Sequence, residues 1–151
     1  GGESTTIGKL AAEYGLIDAL RDFGQTHALW GTCAGAILLS KDARRPQPLL
    51  GLMDITVQRN AFCRQVESFE ADLEIPVLTR AGNGHVRPFH AIFIRAPIIE
   101  SVGASVEVLA RLENGAIVAA RQGHLLATSF HPELTRDSRL HQYFVDIASG
   151  K

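Results

Sequence analysis

The sequence predicts an α/β fold, in three layers, with a mainly parallel sheet, helices on both faces and an antiparallel insertion. Apolar residues recur at helical spacing at both ends of the chain, and a short apolar run leads directly into a helix-forming segment near residue 33. Strand-like segments and a hairpin signal occupy most of the remainder. Helices around a buried strand, followed by hairpins, are typical of a parallel sheet that carries added antiparallel strands.

The first third of the chain predicts two helices, a strand and a third helix. Gly1 and Gly2 indicate a turn, after which Ser4 or Thr5 is expected to cap a helix. Apolar residues at helical spacing support this helix and a second one beyond Gly15: Ile7, Leu10, Ala11 and Tyr14, then Leu16, Ala19, Leu20 and Phe23. An apolar run over 28–30 predicts a strand that stops at Gly31, and residues 34–41 favour a helix.

The rest of the chain is predicted to be mostly strands, with one closing helix. Residues 49–57 are apolar and extended, residues 69–75 alternate between apolar and acidic, and residues 90–95 form another strand. Asn114 and Gly115 predict a hairpin turn between strands over 106–112 and 117–121. A strand over 125–130 precedes a helix over 138–148, which is expected to bury Leu140, Phe144 and Ile147.

Bulk properties narrow the class of protein. The chain has 151 residues, a formal net charge of -1 and two cysteines. We expect a single domain over residues 1–151, with no electrostatic attraction to nucleic acid or anionic membrane. Two cysteines in different contexts indicate no disulfide framework, so a cytoplasmic location and a reactive thiol are expected.

Cys33 has the context of a nucleophile. Gly31-Thr32-Cys33-Ala34-Gly35 places it between small residues, as a tight turn from strand to helix requires. A helix start favours thiolate, so the pKa of Cys33 is predicted to lie below the value of about 8.5 that an isolated thiol has. A small buried cysteine in a glycine-rich turn is the alternative that this motif alone leaves open.

His131 and Glu133 supply the partners that such a thiol needs. They follow the strand over 125–130, and residues two apart in an extended segment project to the same side, so the carboxylate is expected to orient the imidazole. If each residue is considered alone, His131 is more simply a histidine that hydrogen-bonds nearby backbone, and Glu133 a solvated charge. Together with Cys33 they predict acyl-transfer chemistry. The backbone N–H groups of Ala34 and of Gly2 are the candidate oxyanion donors, and a simple turn is the alternative for the two glycines.

These motifs resemble the class I, triad-type glutamine amidotransferases. Four stretches are similar, more narrowly, to glutaminase subunits of pyridoxal 5'-phosphate synthases, and they lie at residues 1–5 (GGEST), 59–65 (RNAFCRQ), 93–97 (FIRAP) and 129–135 (SFHPELT). The resemblance implies a flavodoxin-like sheet and a triad of Cys33 as nucleophile, His131 as general acid and base, and Glu133 as its orienting group. It also implies the glutamine-binding residues, which are Gly2, Glu3, Ser4, Arg59, Ile94 and Arg95.

The resemblance further implies a reaction and a partner. Glutamine would be hydrolysed to glutamate and ammonia through a thioester, and the ammonia would pass to a barrel-shaped synthase subunit in a hetero-oligomer. No cofactor is expected on this chain. The family has a strand, a helix and a strand before the segment that matches Gly1, so we expect the sequence to be incomplete there. Cys63 stands where the family usually has glycine, which we interpret as a harmless replacement.

Two other functions are the alternatives to this interpretation, and a metal site is not expected. A cysteine hydrolase without a synthase partner would share the Cys33 turn and His131 but has no need of Arg59 or of the Ile94-Arg95 pair. A non-catalytic docking module would have no need of the three catalytic residues. The remaining histidines lack the spacing of zinc ligands, so no metal is expected; they are His27, His85, His90, His124 and His141.

Overall fold

The computed structural model describes residues 2–59, 68–78 and 87–151. The helices among them are α1 (Ser4–Glu13), α2 (Leu16–Thr26), α3 (Ala34–Leu39) and α4 (Arg139–Ala148). The strands are β1 (Leu29–Thr32), β2 (Ser40–Asp42), β3 (Met53–Gln58), β4 (Ser68–Leu73), β5 (Phe89–Ile94), β6 (Ile98–Val102), β7 (Glu107–Arg111), β8 (Ile117–Gln122) and β9 (Leu125–Thr128). Short 3-10 turns occupy Pro76–Leu78 and Pro132–Leu134.

The described strands form a main sheet and a separate hairpin. The main sheet has the order β1-β9-β8-β6-β3-β2, and β7 pairs with β8. β1 with β9 and β2 with β3 are parallel, whereas the pairings of β8 and β6 with their neighbours are antiparallel. β4 and β5 pair antiparallel as the hairpin. The α/β class is therefore confirmed, with antiparallel pairing extending further through the described strands than the insertion alone.

Hydrophobic clusters lie on both faces of the main sheet. In β9, Leu126 belongs to the cluster that contains Leu140 of α4, whereas Leu125 and Ala127 belong to the cluster that contains Ile37 of α3. Successive side chains of a strand point to opposite faces, so α3 and α4 cover opposite sides. The predicted helical layers on the two faces of the sheet are thereby confirmed.

Most predicted elements are present, and the exceptions have local causes. α1, α2, α4, the β7–β8 hairpin and β9 all lie where their patterns predict them. α3 is shorter than expected because Ser40 leaves helical geometry, with φ −67° and ψ 156°, and begins β2. β6 was not predicted, although Ile99 is buried between β3 and β8. Along the described residues no helix is long and apolar enough to span a bilayer.

Candidate active site

Cys33 occupies a sharp bend between β1 and α3. Its backbone has φ 50° and ψ −106°, a region that L-residues with side chains rarely adopt. Hydrogen bonds hold it on both sides: its N–H donates to the Thr128 carbonyl oxygen at 2.8 Å, and its carbonyl oxygen accepts from Ala36 N–H at 3.1 Å. Such strain persists only where the surroundings enforce it, and it is frequent at functional sites.

The two glycines that flank the bend are not equivalent. A Cβ at Gly31 would lie 2.4 Å from the Gly35 carbonyl oxygen and 2.7 Å from the Ala36 nitrogen, so no side chain fits there. A Cβ at Gly35 would meet nothing within 4 Å. The requirement for a small residue on each side of Cys33 is therefore confirmed at Gly31 and wrong at Gly35.

The thiol of Cys33 is buried, with 8% of the residue exposed. Burial raises its pKa above the ordinary value, and this outweighs the lowering by the N–H of Ala34, while the charge of Glu133 raises it further. The prediction that the pKa of Cys33 lies below the ordinary value is wrong, because desolvation of the sulfur outweighs the lowering by the helix start. In the described structure Sγ lies 3.9 Å from the Ile94 carbonyl oxygen, a distance at which the thiol donates a weak hydrogen bond.

Glu133 orients the ring of His131. Nδ1 of His131 lies 2.8 Å from Oε1 of Glu133, and the His131 side chain is 12% exposed. Partial burial raises the pKa of Glu133, but the hydrogen bonds from His131 and from its own backbone N–H outweigh this and lower it overall. An ionised carboxylate only accepts hydrogen bonds, so Nδ1 carries the proton and Nε2 of the neutral ring is the basic nitrogen.

The geometry behind this contact differs from the predicted one. Pro132–Leu134 form a 3-10 turn rather than an extended segment, and Leu134 N–H donates to the His131 carbonyl oxygen. The turn brings the Glu133 carboxylate back to the preceding imidazole. A second bond fixes the backbone, because His131 N–H donates to the Ile92 carbonyl oxygen at 2.9 Å.

Glu3 and Arg59 form a bonded pair that lines the same cavity as Cys33 and His131. Glu3 is the N-cap of α1 and accepts from the backbone N–H groups of Thr5 and Thr6, so the expected cap at Ser4 or Thr5 is wrong. These bonds lower the pKa of Glu3 to about 2. Arg59 Nη2 donates to Glu3 Oε1 at 2.5 Å, and Arg59 Nη1 donates to Thr5 Oγ1 at 2.8 Å.

Most of the residues described above line one cavity of about 420 Å³. It is lined by all the predicted site residues except Glu133, together with Ile37 and Pro97: Gly2, Glu3, Ser4, Cys33, Ala34, Arg59, Ile94, Arg95 and His131. Glu133 lies behind the ring of His131. Among the lining residues, Arg95 has an unusual backbone conformation, with φ 45°. A buried thiol, an imidazole bonded to a carboxylate, and a guanidinium thus border one space. Acyl transfer from a small zwitterion could use such an arrangement.

Sequence reasoning missed two polar residues beside this cavity. Thr5 contacts Arg59, and Gln47 contacts both Thr5 and Ser4. The sequence pattern indicates Thr5 only as a helix cap, and Gln47 lies in a loop with no motif to single it out. Cys63 and His85, by contrast, lie outside the described residues, so the prediction for each of them stays a prediction.

The family model and the most similar relatives that we compared indicate the same protein family. Residues 1–149 match the SNO glutamine amidotransferase family. The chain is 59% identical over 149 residues to a protein of Niallia circulans, covering 97% of this chain and 74% of that protein. It is 55% identical over 152 residues to a protein of Herpetosiphon aurantiacus, covering 97% of this chain and 77% of that one. Both relatives are named pyridoxal 5'-phosphate synthase subunit PdxT.

Solved structures agree with this match. A crystal structure described as a glutamine amidotransferase is 54% identical, with a TM-score of 0.88, and the alignment covers 99% of this chain and 76% of that one. A glutamine amidotransferase from Thermotoga maritima has a TM-score of 0.54 at 14% identity, covering 93% of this chain and 56% of that one. The second likeness concerns the fold alone.

Proposed function

Because this chain belongs to the SNO glutamine amidotransferase family, we propose that it hydrolyses L-glutamine and supplies the ammonia for pyridoxal 5'-phosphate synthesis. The observation that carries the proposal is the shared cavity of Cys33 and His131, with Glu133 bonded to the far side of the imidazole. A docking module would have no use for a strained cysteine bend and a fixed imidazole. That alternative is accordingly not favoured.

The reaction begins from a neutral thiol, since burial raises the pKa of Cys33. Nε2 of His131 takes the thiol proton as the sulfur attacks the side-chain amide carbon of glutamine. The resulting imidazolium then protonates the leaving nitrogen, so ammonia departs and a glutamyl thioester remains. His131 next takes a proton from water, which attacks the thioester carbon, and the proton returns to the sulfur as glutamate leaves.

Glu133 acts on this sequence through charge and orientation. Its lowered pKa keeps it ionised at neutral pH, and the bond to Nδ1 directs Nε2 toward the reacting atoms. A carboxylate at this place stabilises the imidazolium that forms in each half of the reaction, as it does in other triads. Proton transfer by a group placed in this way contributes about 10²- to 10⁴-fold to a rate.

Two backbone N–H groups are proposed as oxyanion donors. Ala34 N–H adjoins the sulfur, where it already lowers the pKa of the thiol, and Gly2 lies at the cavity with φ 129°. A donor set in advance at the developing oxyanion contributes about 3 to 4 kcal/mol to lowering the barrier. Because Gly2 has no side chain, its backbone can approach the substrate closely.

Arg59 is proposed to bind the glutamine carboxylate. Its side chain is 21% exposed and lies at the cavity, where a guanidinium can pair with both oxygens of a carboxylate. Glu3, Ser4, Ile94 and Arg95 complete the proposed site, in which the Ile94 carbonyl oxygen suits the substrate ammonium. No cofactor is proposed here, since every step uses side chains and backbone of this chain.

The relatives' names, which describe one component of a synthase, support the proposal that a second component of pyridoxal 5'-phosphate synthase receives the ammonia. We propose a hetero-oligomer in which that synthase subunit docks near the cavity and adds the nitrogen to its own substrates. A cysteine hydrolase without such a partner would share the triad, so the partner requires its own test.

The decisive experiment measures ammonia release from glutamine by the full-length protein, with and without the synthase subunit. We expect release that is abolished in Cys33→Ala and in His131→Ala. Cys63→Ser is the matched control for general loss of a thiol and is expected to keep full activity. Activity that survives Cys33→Ala would contradict the proposal, and activity that is indifferent both to Arg59→Ala and to the synthase subunit would favour a hydrolase of another kind.

A further inference from the structure

The hydroxyl of Thr5 lies between the guanidinium of Arg59 and the amide of Gln47. Arg59 Nη1 donates to Thr5 Oγ1 at 2.8 Å, and Thr5 Oγ1 donates to Gln47 Oε1 at 3.2 Å. Gln47 Nε2 in turn donates to Ser4 Oγ at 3.4 Å. A chain of hydrogen bonds beside the cavity thus connects three segments: the start of α1, the loop with Gln47, and Arg59.

The direction of these bonds follows from the groups themselves. A guanidinium can only donate, so the Thr5 oxygen must accept from Arg59. Its own hydroxyl proton is then directed elsewhere, and the Gln47 carbonyl oxygen accepts it. Gln47 therefore fixes the rotation of the hydroxyl such that a lone pair of Oγ1 faces Nη1.

A second contact fixes the other terminal nitrogen of the same guanidinium. Arg59 Nη2 donates to Glu3 Oε1 at 2.5 Å, and the Glu3 carboxylate is itself held by the N–H groups of Thr5 and Thr6. Both terminal nitrogens of Arg59 are thereby attached to the first turn of α1. The planar guanidinium can then take one orientation relative to the cavity that it lines.

We infer that Thr5 and Gln47 are positioning residues for glutamine recognition, which orient the Arg59 guanidinium toward the substrate carboxylate. This inference rests on the proposed function, since it assigns a role in that same site. Neither residue borders the cavity by itself, so both act through Arg59 and Ser4 rather than on glutamine. An arginine fixed before binding loses less rotational freedom when the ligand arrives, which favours affinity.

The test compares Thr5→Val with Thr5→Ser in the full-length protein together with its synthase subunit. Valine keeps the shape and the backbone N–H that bonds to Glu3 but removes the hydroxyl, whereas serine keeps the hydroxyl. We expect Thr5→Val to raise the KM for glutamine about five- to tenfold, as loss of a typical hydrogen bond predicts, with kcat changed less than about twofold. Thr5→Ser is expected to restore the KM, and Gln47→Leu to raise it about threefold.

A double-mutant cycle separates positioning from a general structural role. In an Arg59→Ala background, Thr5→Val is expected to have no further effect on KM, because the group that it orients is gone. An unchanged KM in Thr5→Val, or an equal rise in KM with and without Arg59, would overturn the inference while leaving the glutaminase reaction intact. If the unsubstituted protein released no ammonia, the proposed function would fail and this inference with it.

Discussion

Gly31 is the position where a single methyl group should do the most damage to the catalytic bend. A Cβ there would lie 2.4 Å from the carbonyl oxygen of Gly35, 2.5 Å from its carbonyl carbon and 2.7 Å from the nitrogen of Ala36. All three are backbone atoms of α3, so no side chain can rotate away. The helix must move, and Cys33 must move with it.

The destabilisation expected for Gly31→Ala can be estimated from other cases in which a methyl group was added to a packed site. Inserting a methyl group into a packed site destabilises by roughly 1 to 3 kcal/mol, and three backbone contacts favour the upper end for Gly31→Ala. For a domain of this size each kcal/mol lowers the melting temperature by about 2 to 4 °C, so we expect a fall of about 6 to 12 °C. The kcat for glutamine hydrolysis should fall at least tenfold, because a misplaced nucleophile loses alignment with its substrate.

Gly35→Ala is the matched control, two residues beyond Cys33. Its added Cβ meets nothing within 4 Å, and alanine favours a helix over glycine by about 0.5 to 1 kcal/mol. The melting temperature of this variant should therefore stay the same or rise by a few degrees, with activity retained. Thermal denaturation and ammonia release measure both variants. Equal behaviour of the two, or an unaltered Gly31→Ala protein, would refute the account of the bend.

Three further predictions concern titrating groups. Glu133→Gln removes the charge that stabilises the His131 imidazolium and should lower kcat about 10²- to 10⁴-fold in steady-state assays, with little change in melting temperature; normal turnover would exclude a role in the triad. Alkylation of Cys33, followed by peptide mass spectrometry, should show a midpoint above that of an exposed thiol, because burial raises the thiol pKa; a midpoint near pH 7 would contradict this. Glu3 has its pKa lowered to about 2, so the stability that it contributes is fully present above its unfolded pKa of 4.5 and is lost as pH falls toward 2. Melting temperatures between pH 6 and pH 3 should accordingly fall less steeply in Glu3→Gln, and identical curves would count against the cap.

The electrostatics of His90 illustrate what neither motif nor periodicity predicts. Its two ring nitrogens lie 2.8 Å from Glu70 Oε2 and 2.9 Å from Asp72 Oδ1, across the β4–β5 hairpin. The hydrogen bonds to Asp72 and Glu70 raise the pKa of His90. The sequence placed these residues on two predicted strands, but their register was needed to bring three side chains together.

Much of the site could be predicted because its residues occur in short local sequence patterns. Residues 31–35 predict the sharp bend at Cys33, although not the burial of its thiol, and His131 with Glu133 predicts a histidine–carboxylate contact. In each case the interacting residues are neighbours in the chain. One local contact was nevertheless missed. Glu3 replaced Ser4 and Thr5 as the cap because its longer side chain reaches two N–H groups and Arg59 at once.

What the sequence alone determined is therefore the class of fold and the order of most elements, since these depend on local periodicity and on residue type. The reacting groups that it indicates remain a prediction. Only the tertiary structure decided the pKa of Cys33, because desolvation depends on what packs over the sulfur. It alone also joined Thr5 to Gln47 and to Arg59, which lie 42 and 54 positions further along the chain. Burial and long-range contact are properties of the packed chain, and no short pattern encodes them.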